Sequence, residues 1–358
     1  MQEDRLVRTF LDLVRIDSPT GQEEKVRDYV IKLVQKLGLN PIQDVRGNLI
    51  VKVDGVGEPL LLGAHLDTVE PGKNINPQIT DGVIKSNGDT ILGADNKAAV
   101  AAILEVLRSV LEDRAQTKPL DVVFTLAEES GEFGSTKLDY SKVNAKKGYT
   151  FDSLSSLGSI ITASPFYNRF HIKIIGKSTH ASTPDEGINT LQILGTSLNE
   201  IKLGKINDKT IANIGIASSG NGINTIPGET IVKGEVRSFV GKDVQEHTNS
   251  IVNKFKEIAM QYGGTIEAEV FQDNPGYEYD EKDEFIQETK RTTEKLNLTP
   301  TLIRKWACSD ANIFNSNGIK TLNLGDGVID PHTVKESISI ESLNLLAKLI
   351  SFLIKSLH

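Results

Sequence analysis

Four short runs of this chain, Asn48 to Val53, Leu60 to Leu66, Leu120 to Ala127 and Gly148 to Phe151, are apolar at nearly every position. Strands of that character have no solvent face, so the sheet they form must be covered on both sides. The run from Lys97 to Leu111 is rich in alanine with apolar residues at helical spacing, and it predicts a helix among these strands. The alternation points to an α/β domain. Ahead of it, Leu6, Phe10, Leu13 and Val14 mark one amphipathic helix, and Val26, Val30, Leu33, Val34 and Leu37 mark a second. Thr20 followed by Glu23 fits a capping box opening that second helix, and Gly38 fits its stop.

From about Pro165 the pattern changes. Strand (Asn168 to Ile175), helix (Gly187 to Leu203), two strands (Thr210 to Ser218 and Thr230 to Phe239), helix (Val244 to Tyr262) and strand (Thr265 to Phe271) give βαββαβ, a ferredoxin-like order. After Pro275 and Gly276 the α/β reading returns, with a helix near Glu281 to Leu296, a strand Lys320 to Leu324 and a final helix from Ile340. The chain of 358 residues exceeds what one core usually organises. The expected organisation is therefore a discontinuous domain, 1–164 and 276–358, with a second domain, 165–275, inserted into it.

Bulk properties narrow the function. The net charge of -8 is diffuse, with no Lys/Arg run to mark a nucleic-acid or anionic-membrane partner, so small substrates are favoured. No apolar run reaches the roughly 18 residues of a membrane helix. The start, Met1-Gln2-Glu3-Asp4-Arg5, has no apolar signal core, and the one cysteine, Cys308, has no partner for a disulfide, so a cytoplasmic location is expected.

The chemistry gathers where buried strands end, which is where open α/β sheets place their ligand sites. The Leu60 run delivers His65-Leu66-Asp67, with His65 and Asp67 on one side of the pleat. Asp95 opens the Ala-rich helix, Glu128-Glu129 ends the Leu120 run, Asp152 follows Phe151, and Pro331-His332 follows a glycine-rich loop. Each has an ordinary reading on its own: a hydrogen-bonded loop pair, a helix cap, a solvated corner, a turn. Together they supply two imidazoles and several carboxylates, the donors zinc takes, and a bridging carboxylate permits two ions about 3.5–4 Å apart.

Gly63-Ala64-His65-Leu66-Asp67-Thr68-Val69, Gly93-Ala94-Asp95-Asn96-Lys97, Ala127-Glu128-Glu129-Ser130-Gly131, Phe151-Asp152 and Pro331-His332 closely resemble the zinc aminoacylase, carboxypeptidase and peptidase T superfamily. Ser178-Thr179-His180-Ala181-Ser182-Thr183-Pro184 and Asn224-Thr225-Ile226-Pro227-Gly228 resemble its peptidase T-like, tripeptide aminopeptidase-like branch. The resemblance implies a zinc-exopeptidase-like catalytic domain, a mixed sheet flanked by helices, with the ferredoxin-like insert as lid and dimerisation domain. It implies two Zn2+ per subunit, with Co2+ or Mn2+ as substitutes: His65 and Asp152 on one, Glu129 and His332 on the other, Asp95 between them. Asp67 would then orient His65, and Glu128 would be the general base. In relatives that dimerise through the insert, the residue matching His180 reaches the partner's site and polarises the scissile carbonyl. Asn224 and Arg237 match substrate-binding positions, Arg237 as a clamp on a carboxylate.

The implied activity is cleavage of short peptides, tripeptides foremost, by a homodimer. An N-acyl amino acid or succinyl-diaminopimelate-type deacylase would use the same machinery, and a non-catalytic peptide-binding relative would have no use for Glu128. Cys308 reads as a packed side chain, and Asp310 has no role beyond helix capping. His171, His247 and His358 lack carboxylate partners at ligand spacing.

Overall fold

A computed structural model describes residues 2–131 and 133–355. His358 therefore lies outside the described residues. The chain divides into two compact units: Met1–Thr162 with Tyr279–Arg304 and Ser309–His358, and Ala163–Glu278 with Lys305–Cys308.

The first unit is built on a mixed sheet. Its spatial order runs Ile42–Gln43, Leu49–Val53, Leu120–Thr125, Leu60–His65, Lys147–Thr150, Lys320–Leu324, Ser159–Ser164. The four strands from Leu120–Thr125 to Lys320–Leu324 are mutually parallel, and antiparallel neighbours flank them. Period-two geometry sends alternate side chains to two cores. Leu60, Leu62, Ala64, Leu120, Val122 and Phe124 enter the larger one, while Leu61 and Val123 meet Phe314, Ile319, Leu138 and Val143 on the opposite face. Both faces are covered, which is why these runs need no polar alternate.

The helix Ala94–Asp113 is buried continuously from Ala94 to Leu107. Alanine lets a helix sit close against the sheet and costs nothing in propensity. Its one buried acid there beyond the first turn, Glu105, receives a bidentate bond from Arg5 of the helix Glu3–Val14, Nε to Oε2 and Nη2 to Oε1, both 2.8 Å. Leu6, Phe10, Leu13 and Val14 of that helix are buried as their spacing predicts.

Elsewhere the sequence reading needs correction. The helix Glu24–Lys36 has no side-chain cap; Thr20 and Glu23 point toward residues 67 and 127. The buried strand Ser159–Ser164 and the short strands Gln78–Thr80, Val83–Lys85, Thr301–Arg304 and Ser337–Ser339 carry too little periodicity to be foreseen. Ser309, forming a capping box with Asn312, caps the helix Asp310–Ser316, so Asp310 is not the cap.

In the second unit the antiparallel sheet runs Gly204–Asn207, Thr210–Ser219, Glu229–Ser238, Phe166–Ile175, Thr265–Asn274. Helices Thr190–Glu200 and Gly241–Gln261 pack on it through Ile193, Leu194, Val244, Ile251, Phe255 and Ile258. Leaving out the short edge strand Gly204–Asn207, this is the ferredoxin-like order. Among the described residues no helix is long and apolar enough to cross a membrane.

Candidate metal centre

The parallel strands end together, and their ends carry the acids. His65 is the last residue of Leu60–His65, Glu128 and Glu129 follow Leu120–Thr125, and Asp152 follows Lys147–Thr150. Asp95 lies in the first turn of Ala94–Asp113. The turn before it needs Gly93: φ there is +72°, and a Cβ would stand 3.2 Å from Thr68 Cγ2. His332 comes from the 330–336 loop, closed at its base by mutual backbone bonds between Ile329 and Ser337 of 2.9 and 3.0 Å.

These side chains converge around Asp95. Its Oδ1 is 3.1 Å from His65 Nε2 and its Oδ2 is 3.0 Å from His332 Nε2. Asp152 Oδ1 stands 3.9 Å from His65 Nε2, and Glu129 Oε1 stands 2.9 Å from His332 Nε2. Potential donor atoms of His65, Asp95 and Glu129 lie within 4.8 Å of one another, as do those of His65, Glu128 and Asp152. Both members of the acid pair thus reach the cluster, Glu128 with His65 and Asp152, Glu129 beside His332.

Charge makes the cluster costly without a cation. Burial opposes charge on His65, but bonds to Asp67 and Asp95 and the charges of Asp152 and Glu128 outweigh it and hold its pKa well above the ordinary value. Bonds to Asp95 and Glu129 push His332 up to about 10. Burial, then the neighbouring charge of Asp95, pushes Asp152 well above the usual carboxylate range. Four carboxylates around two imidazoles call for positive charge. Imidazole nitrogen and carboxylate oxygen are what divalent first-row cations take, so the donor set fits such an ion.

His65 Nδ1 lies 3.0 Å from the backbone carbonyl of Asp67 and 3.4 Å from its carboxylate. Donation from Nδ1 to that carbonyl turns Nε2 toward Asp95 and Asp152, and a cation bound there would replace its proton. The Asp67 carboxylate has a further task that the sequence did not reveal. Its Oδ1 accepts from the N–H of Glu128 at 3.0 Å, and its Oδ2 accepts from the N–H of Glu129 at 3.2 Å and from Thr20 Oγ1 at 2.8 Å.

Other residues to which the sequence reading gave no part in the site hold the same turns. Glu23 Oε1 accepts from the N–H of Ala127 at 3.1 Å. Asn323 Oδ1 accepts from the N–H of Asp152 at 2.9 Å while its Nδ2 donates to the Asp152 carbonyl at 3.0 Å. Glu336, only 1 % exposed, accepts from the N–H groups of Leu92, Gly93 and Asp95 at 2.8, 2.7 and 2.9 Å. Asn323 interrupting an apolar strand is the one visible signal; Glu23 reads as half of a local capping box, and Glu336 carries no pattern of its own. Asp310 is buried, with Oδ2 accepting from Thr125 Oγ1 at 2.5 Å at the end of the strand that leads to the acid pair.

The remaining candidates belong to the second unit. His180 is exposed, its Nδ1 2.7 Å from Ser182 Oγ, and its strand pairs with Thr225–Ile226, so that Asn224, also exposed, lies beside it and accepts from the N–H of Ala181 at 2.8 Å. The Arg237 guanidinium donates to both oxygens of Glu235 and to the Trp306 carbonyl, and stacks 4.4 Å from the Tyr167 ring centre. A substrate carboxylate would have to displace Glu235 there. Cys308 Sγ faces the Pro165 carbonyl, His171 packs edge-on to Phe271, and His247 Nε2 lies 3.2 Å from the Lys202 carbonyl.

Residues 61–356 match the family model described as Peptidase family M20/M25/M40. A tripeptidase of Staphylococcus aureus subsp. aureus Mu50 superimposes with a TM-score of 0.96 at 34% identity, covering 99% of this chain and 98% of that one. Aminopeptidase PepT of Bacillus cereus ATCC 10987 gives 0.93 at 32%, with coverage of 99% and 98%. Among curated sequences, the uncharacterized protein YqjE of Bacillus subtilis (strain 168) is 32% identical over 366 residues, 99% of each chain.

Proposed function

The chain belongs to peptidase family M20/M25/M40 and is a hydrolase of that family, and from this premise we propose that it is a dinuclear-metal aminopeptidase acting on short peptides, tripeptides foremost. The observation that carries the reading is Asp95 offering one oxygen toward each of two imidazoles, with Asp152 and Glu129 on either side. The near full-length likeness to a tripeptidase and an aminopeptidase supports the choice of substrate class.

His65 and Asp152 would hold one cation, Glu129 and His332 the other, and Asp95 would be shared. Zinc is the default for such donors, with cobalt or manganese as substitutes. When bound, the cations supply Lewis acidity and lower the pKa of water. Glu128 takes the proton from the attacking water and returns it to the leaving amine. Asp67 and Glu23 keep its main chain in place through the N–H groups of residues 127–129. The His65 Nδ1 bond to the Asp67 carbonyl fixes that ring's orientation.

Residues 165–275 would form the substrate-covering and dimer-forming domain. His180 would donate to the scissile carbonyl in a partner subunit's site, with Asn224 beside it on the substrate.

The test is a substrate panel. Zinc-loaded protein incubated with tripeptides and with N-acyl amino acids should release N-terminal residues from the peptides; rapid deacylation with inert peptides would overturn the substrate class.

A further inference from the structure

Glu336 has no place in the reaction just described, yet it is a buried acid whose three acceptor bonds all go to the turn presenting Asp95. Oε2 takes the N–H groups of Leu92 and Gly93, and Oε1 takes that of Asp95 itself. With both oxygens accepting from main-chain N–H groups, the carboxyl is pinned against that turn. Glu336 is also in the loop that carries His332. Two bonds between Ile329 and Ser337 close that loop, Glu336 N–H donates to the Thr333 carbonyl at 3.0 Å, and Thr333 Oγ1 donates to the Asp330 carbonyl at 2.8 Å. His332 sits within this bonded segment with φ of +61°, a conformation that non-glycine residues rarely hold without support. The Glu336 carboxylate thus ties the main chain under Asp95 to the loop bearing His332.

We propose that Glu336 is a positioning residue that sets the distance between Asp95 and His332, and so governs the affinity of the Glu129/His332 cation more than that of the His65/Asp152 cation. This rests on the dinuclear reading. The asymmetry follows from the connections. Releasing Glu336 frees Asp95, which both cations would share, and also frees His332, which only one would use. A second-sphere group of this kind is worth about 10–100-fold in metal affinity.

Metal-free wild-type protein, Glu336→Gln and His332→Ala are titrated with Co2+ alone, following visible absorption, with thermal melts of each. Gln keeps the size of Glu but sets an NH2 group against N–H donors. The expected result is two saturating equivalents in the wild type, and in Glu336→Gln the equivalent that His332→Ala removes loosened by about 10–100-fold while the other shifts less; activity recovers as Co2+ is raised. Equal weakening of both equivalents, or wild-type affinities at both, would overturn the proposal, because a purely structural role moves the melting temperature without that ordering. Should Glu336→Gln fold poorly, Glu336→Asp, which keeps both oxygens on a shorter stem, is expected to give the same ordering. Failure of the dinuclear reading shows in the wild type, as fewer than two equivalents, and takes this inference with it; failure of the inference alone shows only in the variants.

Discussion

Asp67 holds Glu128 by its main chain: the Asp67 Oδ1 accepts the Glu128 N–H at 3.0 Å, leaving the Glu128 carboxylate to the cluster it forms with His65 and Asp152. Removing the side-chain charge of Glu128 should therefore disturb chemistry and not architecture. Glu128→Gln is expected to keep its metal content and melting temperature while kcat falls by roughly 10²–10⁴-fold. Metal analysis and steady-state kinetics on the same preparation check this; near-normal turnover would refute the role.

Asp67 acts through acceptor oxygens alone, which one amide oxygen cannot replace. In Asp67→Asn an NH2 group opposes the N–H of Glu128 or of Glu129, so the acid pair loosens. A fall in kcat/KM of about 10–100-fold is expected, with the protein folded by circular dichroism.

Withdrawing metal should cost stability, since four carboxylates would then surround two imidazoles without a counter-ion. A cation held at a thousandfold excess over its Kd stabilises by about 4 kcal/mol. Chelation is expected to lower Tm measurably and re-addition of zinc to restore it; an unchanged melt would mean that the cluster does not bind under those conditions.

The Arg5–Glu105 pair makes a pH prediction away from the metal cluster. Burial would raise the Glu105 carboxyl, but the Arg5 bond and the N–H of Gln2 outweigh it and lower its pKa. A carboxyl depressed in the folded state stabilises fully above its unfolded pKa and loses that contribution as pH falls through the folded value. Glu105→Gln should cost about 1–3 kcal/mol in urea unfolding at pH 7, and the gap from wild type should narrow as the pH drops below about 4.

If His180 serves a partner's site, subunits carrying Glu128→Gln and subunits carrying His180→Ala complement each other. Random mixing leaves half the dimers mixed, each with one intact site, so about a quarter of wild-type activity should return. Activity assays after mixing the two inactive variants decide it.

Four of the six residues proposed as ligands or base were legible because each ends or follows a run whose apolar pattern fixes where the strand stops; Asp95 at a helix start and His332 in a loop have no such run before them. The Leu60, Leu120 and Gly148 runs appear as parallel strands within a residue or two of the expected ends, and His65, Glu128, Glu129 and Asp152 follow from that. The residues holding those turns were not legible. Glu23, Asn323 and Glu336 bond to backbone N–H groups distant in the chain, and a main-chain partner leaves no matching residue to find; Asn323 shows only as a polar break in an apolar strand, with nothing to say what it holds. Thr20 and Glu23 even imitated a local cap, because the same two side chains serve a helix start or a tertiary contact equally well.

A crystal structure of zinc-loaded protein with anomalous maps recorded at the zinc edge bears most directly on the shared role of Asp95. The account predicts two peaks about 3.5–4 Å apart, one about 2.0–2.2 Å from each Asp95 oxygen, with His65 and Asp152 on the first and Glu129 and His332 on the second. A single peak, or two peaks with Asp95 touching only one of them, would contradict it.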